Sequence, residues 1–98
     1  MMKKVIIYVR GHKEEMQEVF CRVYAADKGY KVLFVTNDIE AVNGCDILLV
    51  ANPSRISRNR IEYQIIVNKL RKKGIEVESA IEHENAADFL SLAMDILE

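Results

Sequence analysis

Two uninterrupted apolar runs, residues 5–9 and 47–51, constrain the fold of this 98-residue chain most strongly. Both are rich in Val, Ile and Leu, and neither alternates apolar with polar side chains. Such runs are typical of strands covered on both faces, which occur mainly in parallel sheets flanked by helices. The runs therefore predict an α/β fold with two central strands.

The remaining elements follow from periodicity and from helix-ending glycines. Residues 13–28 predict a helix ending at Gly29, whose apolar face is Met16, Val19, Phe20 and Val23. A second helix, capped by Ser57 or Asn59, is predicted to run to about residue 73 on Ile61, Ile65 and Leu70 and to end at Gly74. Residues 31–35 and 46–51 predict strands, residues 75–79 a strand near the sheet edge, and residues 85–97 a final helix.

The order β-α-β-β-α-β-α predicts one domain over residues 1–98: a small three-layer sandwich with a mostly parallel four-stranded sheet. Only ten residues separate the second and third strands. A parallel crossover usually needs a dozen or more. We therefore expect a largely extended link there, with no room for a helix.

Composition narrows the class of protein. Fourteen Lys and Arg against fifteen Asp and Glu give a net charge of −1, so no overall basic character indicates nucleic-acid binding. The longest apolar runs have about five residues, far short of the roughly 20 that a membrane helix needs. Cys21 and Cys45 lack metal or redox spacing. These features predict a cytoplasmic protein with reduced thiols and no membrane partner.

The loops after the first and third strands concentrate basic residues. Because the carboxyl ends of parallel strands share one edge of the sheet, these loops predict an anion site, with phosphate as the best match to guanidinium groups. The alternative is that the arginines are solvated and pair with Glu14, Glu15 or Glu62. No glycine-rich phosphate motif is present, and His12 and His83 lack ligand spacing, so we expect neither a nucleotide cofactor nor a metal. The basic residues of the predicted site are Arg10, Lys13, Arg55, Arg58 and Arg60.

Two motifs resemble a known family. Tyr8-Val9-Arg10 ends the first strand, and Ser54-Arg55-Ile56-Ser57-Arg58 follows the third. They are similar to Y-x-R-V-S and D-R-[LIF]-[SG]-R of the N-terminal catalytic domain of resolvase/invertase-type serine site-specific recombinases, and the similarity covers nearly the whole chain. In that family a serine attacks a DNA phosphate while arginines stabilise the developing charge, without a cofactor. The resemblance implies DNA as partner, Arg10, Arg55 and Arg58 as phosphate clamps, and further phosphate contacts from Lys13 and Arg60.

The chain also departs from the family pattern. His12 stands at the position of the nucleophilic serine, and Ser54 at the position of the motif aspartate. Residues 37–40 are a reduced form of the family's segment after the second strand. We therefore expect impaired or absent catalysis, although His12, Ser54 and Ser57 carry groups that can act as nucleophiles.

The predicted helix over residues 85–97 is apolar on more than one side, and the chain stops at Glu98, partway through what resembles the family's long dimerisation helix. We expect no DNA-binding domain in this chain, and a homodimer or a hetero-oligomer with a related recombinase. Two alternatives stay open: a non-catalytic dimerisation or regulatory module, and a small α/β protein that binds a phosphate ligand. The expected dimerisation residues are Phe89, Leu90, Ala93, Met94 and Leu97.

Overall fold

The computed structural model describes residues 2–81. The predicted final helix and the five dimerisation residues lie outside this range. The strands are β1 (Lys4–Tyr8), β2 (Lys31–Thr36), β3 (Ile47–Val50) and β4 (Glu76–Ser79). The helices are α1 (Glu14–Lys28) and α2 (Arg60–Lys72), and single 3-10 turns cover Ile39–Ala41 and Pro53–Arg55.

The four strands form one sheet in the order β2-β1-β3-β4, and every neighbouring pair is parallel. The prediction of a mostly parallel sheet is thus confirmed, with β4 at an edge as its alternating pattern indicates. The two continuous apolar runs form the central pair, β1 and β3. The chain moves outward in one direction from β1 to β2 and in the other from β3 to β4. The carboxyl ends of β1 and β3 therefore flank a topological switch point, where open α/β sheets bind ligands.

Helices cover both faces of the sheet, which confirms the three-layer architecture. On the α1 side, Cys21 and Ala25 pack against alternate residues of the central strands such as Ile7 and Leu49. On the α2 side, Leu70 packs with the intervening residues, including Leu48. Because successive strand residues point to opposite faces, each central strand contributes to both cores.

The predicted inward face of α1 is wrong. Val19 is 53% exposed and Val23 64% exposed, and the buried residues of the helix are Gln17, Cys21 and Ala25. The strands already supply bulky β-branched side chains, so a row of smaller helix residues lets α1 lie close to the sheet. Met16 and Phe20, the other half of the predicted face, pack against Ile81 at the end of the described chain.

The predicted face of α2 is partly wrong. Leu70 is buried as expected, but Ile61 is 74% exposed and Ile65 51% exposed. The sheet-facing residues are Tyr63, Ile66, Val67 and Leu70, which follow the i, i+3, i+4, i+7 pattern of one helix face. Two overlapping apolar stripes therefore run along α2, and only one of them meets the sheet.

The short link between β2 and β3 has no α-helix, as predicted, but it is not fully extended. Asp38 accepts a hydrogen bond from the backbone N–H of Glu40 (3.0 Å) and so starts the 3-10 turn at Ile39–Ala41. Phe34 of β2 pairs in register with Ile6 and is still 42% exposed. The outer part of the sheet on the α2 side is therefore incompletely covered.

Within residues 2–81, neither helix has the length and apolarity needed to cross a membrane.

Candidate anion-binding site

A pocket of about 430 Å³ lies at the switch point between β1 and β3. The structure brings five predicted site residues together there: Arg10, His12, Ser54, Arg55 and Arg58. Lys13 and Arg60 are not among its lining residues; Lys13 precedes α1, and Arg60 is the exposed first residue of α2. The lining residues are Arg10, Gly11, His12, Ser54, Arg55, Ser57, Arg58, Asn59 and Glu62.

The buried side chain of Gln17 holds the first loop of the pocket. Its Oε1 accepts a hydrogen bond from the backbone N–H of Arg10 (3.0 Å). Its Nε2 donates to the carbonyl oxygens of Arg10 (2.9 Å) and His12 (2.8 Å). Gln17 is fully buried, so these bonds replace water for the backbone of a loop that turns away from β1. The sequence analysis did not identify Gln17, although its i, i+4, i+8 spacing with Cys21 and Ala25 is a signal for a shared buried face.

Two arginines tie the first loop to the second. Nη1 of Arg10 donates to the carbonyl oxygen of Ile56 (3.4 Å), and Nη1 of Arg55 donates to the carbonyl oxygen of Arg10 (3.3 Å). Gly11 of the first loop has a φ of 84°. The positive φ favours glycine, whereas a Cβ at Gly11 would make only an ordinary contact, 3.4 Å, with Nη1 of Arg55.

The pocket wall contains three arginines and one carboxylate, that of Glu62. In the part of the chain that the structure describes, ion pairs join Arg22 to Glu18 and Arg71 to Glu76, and none involves an arginine of the pocket. The alternative pairing with Glu14, Glu15 or Glu62 is therefore not found, although Glu62 is part of the pocket wall.

Arg55 is the least solvated guanidinium of the site. Its Nε is buried and has no hydrogen-bond partner among residues 2–81. Burial lowers the pKa of Arg55 from its usual value, and the positive charge of Arg58 lowers it further. An anion in the pocket would oppose this lowering of the pKa, because it would supply an opposite charge beside the guanidinium groups.

The serine and asparagine side chains of the second loop are engaged locally. Oγ of Ser54 donates to Oδ1 of Asn52, and Oγ of Ser57 accepts from the backbone N–H of Asn59 (3.0 Å). Oδ1 of Asn59 accepts from the N–H groups of Ile61 (2.9 Å) and Glu62 (3.2 Å) and so caps α2. Of the two predicted caps, Asn59 is therefore correct and Ser57 is not. The Asn59 side chain therefore occupies two N–H groups of the first turn of α2 that could otherwise bind an anion.

Among residues 2–81, neither serine of the pocket makes a hydrogen bond to a basic side chain. No hydrogen bond joins Ser54 or Ser57 to His12, the one histidine that lines it. Between residues 2 and 81, no three His, Cys, Asp or Glu side chains converge as metal ligands would.

A family model decides the classification. The model for the N-terminal domain of resolvases matches residues 35–98, about two thirds of the chain, and this match includes the loop with Arg55 and Arg58. The chain belongs to the resolvase family. The first motif, with Arg10 and His12, lies outside the matched residues.

Among solved structures, the fold of this resolvase-family chain is similar to that of the C-terminal catalytic domain of ISC1926 TnpA, an IS607-like serine recombinase. The TM-score is 0.67 at 21% sequence identity, covering 95% of this chain and 82% of that chain. A de novo designed Rossmann fold protein matches with a TM-score of 0.41 and 15% identity over 99% of both chains. Among curated protein sequences, none matches the chain.

Proposed function

We propose that this resolvase-family domain binds the phosphodiester backbone of DNA through Arg10, Arg55 and Arg58 and does not cleave it. The supporting observation is that the three arginines line one pocket and that none of them forms an ion pair with a carboxylate among residues 2–81. Guanidinium groups match phosphate oxygens in shape and charge, and a locally basic surface binds phosphate even when the net charge is near zero. Lys13 and Arg60, outside the pocket wall, make peripheral phosphate contacts.

The absence of cleavage follows from the residues at the reacting position. A nucleophilic hydroxyl needs an adjacent base or a lowered pKa. His12 occupies the position at which the family resemblance places the serine, and the hydroxyl of Ser54 is donated to Asn52. The arginines therefore retain a binding role after the nucleophile is gone. Assembly with a second copy or a related recombinase through residues 82–98 is the other part of this proposal, as is a cytoplasmic location.

DNA binding is tested by fluorescence anisotropy with a labelled duplex between 50 and 200 mM salt. Arg55→Gln is expected to weaken binding about tenfold and to reduce the slope of log K against log salt by about 1, because one phosphate contact is lost. Arg22→Gln on α1 is the matched control, since Arg22 is exposed and pairs with Glu18. Equal affinity of Arg55→Gln and the unaltered chain would contradict the proposed site.

Cleavage is tested by incubation with supercoiled plasmid, followed by denaturation with and without protease. We expect neither nicks nor a protein–DNA adduct. A protease-sensitive adduct that disappears in His12→Ala or Ser54→Ala would overturn the non-catalytic assignment.

One alternative function is favoured by the pocket volume of about 430 Å³, which lies in the range for small ligands. A mononucleotide at 100 times its dissociation constant would add about 2.7 kcal/mol to the free energy of unfolding. That stabilisation, in a protein that fails to bind DNA, would favour the small phosphate ligand instead.

A further inference from the structure

The wall of the anion pocket contains one acidic residue, Glu62, together with three arginines and a histidine. Glu62 is exposed, and among residues 2–81 its carboxylate forms no ion pair with any of these arginines. Because no single guanidinium neutralises this carboxylate, its negative charge acts on any anion that enters the pocket. The proposed DNA contact makes no use of Glu62, so its presence in the wall needs an explanation.

The usual structural task of an acid at this position is not performed by Glu62. It is the third residue of α2, after the N-cap Asn59. A glutamate three residues after the N-cap commonly accepts a hydrogen bond from the backbone N–H of the cap residue. Here the N–H of Asn59 donates to Oγ of Ser57 instead (3.0 Å). The carboxylate of Glu62 is therefore not bound to the helix cap.

The start of α2 is also poorly suited to a doubly charged phosphate. Helix N-termini bind phosphate groups through their free N–H groups. Oδ1 of Asn59 accepts from the N–H groups of Ile61 (2.9 Å) and Glu62 (3.2 Å), so these two donors are already occupied. The pocket thus combines guanidinium groups with one opposing carboxylate and lacks these two helix donors.

The opposing carboxylate distinguishes phosphates by their charge. A phosphodiester within a nucleic-acid strand carries one negative charge, whereas a terminal phosphate carries nearly two above its second pKa of about 6. The Coulomb repulsion from Glu62 is proportional to the charge of the ligand. It therefore costs a terminal phosphate twice the free energy that it costs a phosphodiester, and the factor by which it lowers affinity is squared.

We propose that Glu62 is a specificity-determining residue, which biases the pocket toward the phosphodiesters inside a nucleic-acid strand and against terminal phosphates and free mononucleotides. This inference rests on the proposed function, because it takes the arginine pocket as the phosphate site. It deepens that function by naming the charge state of phosphate that the pocket selects and the residue that selects it.

The test compares two probes that differ in charge and share base and sugar: thymidine 5′-monophosphate and its monomethyl ester. Binding to the full chain is followed by NMR titration of backbone amides at pH 8 and low ionic strength, where charge screening is weak. Glu62→Gln is expected to increase the affinity for the methyl ester about twofold and the affinity for the monophosphate about fourfold. The amide spectrum of the rest of the domain reports whether the variant is folded.

Asp27→Asn is the matched control. It makes the same change in net charge, but Asp27 lies in the last turn of α1, at the other end of a 15-residue helix, about 20 Å from its start. This variant is expected to leave the ratio of the two affinities unchanged. An equal change of the ratio in both variants would assign the effect to net charge and overturn the role of Glu62.

The failure of this inference differs from the failure of the proposed function. If Arg55→Gln weakens binding of both probes while Glu62→Gln changes their affinities by the same factor, reduces them or leaves them unaltered, the pocket binds phosphate and Glu62 does not select its charge. If Arg55→Gln leaves the affinity for both probes unaltered, the pocket is not the phosphate site, and the proposed function and this inference are both refuted.

Discussion

Replacing Gln17 by leucine removes the hydrogen bonds that hold the first loop of the anion pocket. Gln17 donates twice and accepts once, at 2.8–3.0 Å, and its side chain is fully buried. Each such bond contributes about 0.5–1.5 kcal/mol net. Leucine has a volume similar to that of glutamine, so the substitution leaves no cavity that would change the free energy of unfolding further. We expect Gln17→Leu to lower the free energy of unfolding by about 2–4 kcal/mol.

The assay is urea unfolding followed by circular dichroism, with DNA affinity measured on the same samples. A domain of this size has a stability of roughly 5–15 kcal/mol, so the variant is expected to remain folded in buffer. Its DNA affinity is expected to fall as well, because the backbone of Arg10 and His12 loses its fixed geometry. Gln64→Leu on the exposed side of α2 is the matched control and is expected to change stability by less than about 0.5 kcal/mol.

Gln17→Glu separates the donor and acceptor roles. The new carboxylate still accepts from the N–H of Arg10 but cannot donate to the two carbonyl oxygens. Burial raises the pKa of such a carboxyl above its unfolded value, so the variant is expected to lose stability relative to the unaltered chain as pH rises from 4 to 7. If the free energy of unfolding of Gln17→Leu is within about 0.5 kcal/mol of that of the unaltered chain, the loop does not depend on Gln17 and the reasoning fails.

Three further predictions concern the cap, the core and the thiols. Asn59→Ala is expected to cost about 1 kcal/mol in urea unfolding, because it removes the α2 cap, and no change would disprove the capping role. Leu70→Ala on the buried face of α2 is expected to cost about 2–5 kcal/mol, whereas Ile65→Ala should cost less than about 0.5 kcal/mol; equal costs would contradict the observed face of α2. Burial raises the pKa of Cys21 from 9.0 to about 12, so the free energy of unfolding should decrease between pH 9 and 12. A thiol reagent at pH 8 should modify half-buried Cys45 before buried Cys21. Equal modification rates would contradict the burial of Cys21.

The sequence was sufficient to predict the sheet. In a small protein, a continuous apolar run is buried on both sides only as a central strand covered by helices. The sequence was insufficient for the faces of the helices. On α1, large apolar residues suggested the stripe with Val19 and Val23, whereas Cys21 and Ala25 pack on the sheet and Gln17 binds the loop after β1. Pattern rules count large apolar residues, but close packing on a sheet of branched side chains favours small ones.

The sequence indicates where the candidate site lies, but not which contacts hold its loops together. Strand order in the chain places the arginine loops at one edge of the sheet, and in the structure Arg10, Arg55 and Arg58 line one pocket there. The contacts of Gln17 and Arg55 with the first loop are made to carbonyl oxygens. Every residue carries a carbonyl, so residue type gives no indication of which one is the acceptor.

The strand order has a mechanical consequence for the pocket. β1, α1 and β2 form one β-α-β unit, β3, α2 and β4 form another, and the two units meet along the parallel pairing of β1 with β3. Arg10 belongs to the first unit and Arg55 to the second. Sliding one unit past the other by a single residue, about 3.3 Å, would pull apart the hydrogen bond between Arg55 and the Arg10 carbonyl. The relative position of the two β-α-β units therefore sets the spacing of the charges in the pocket.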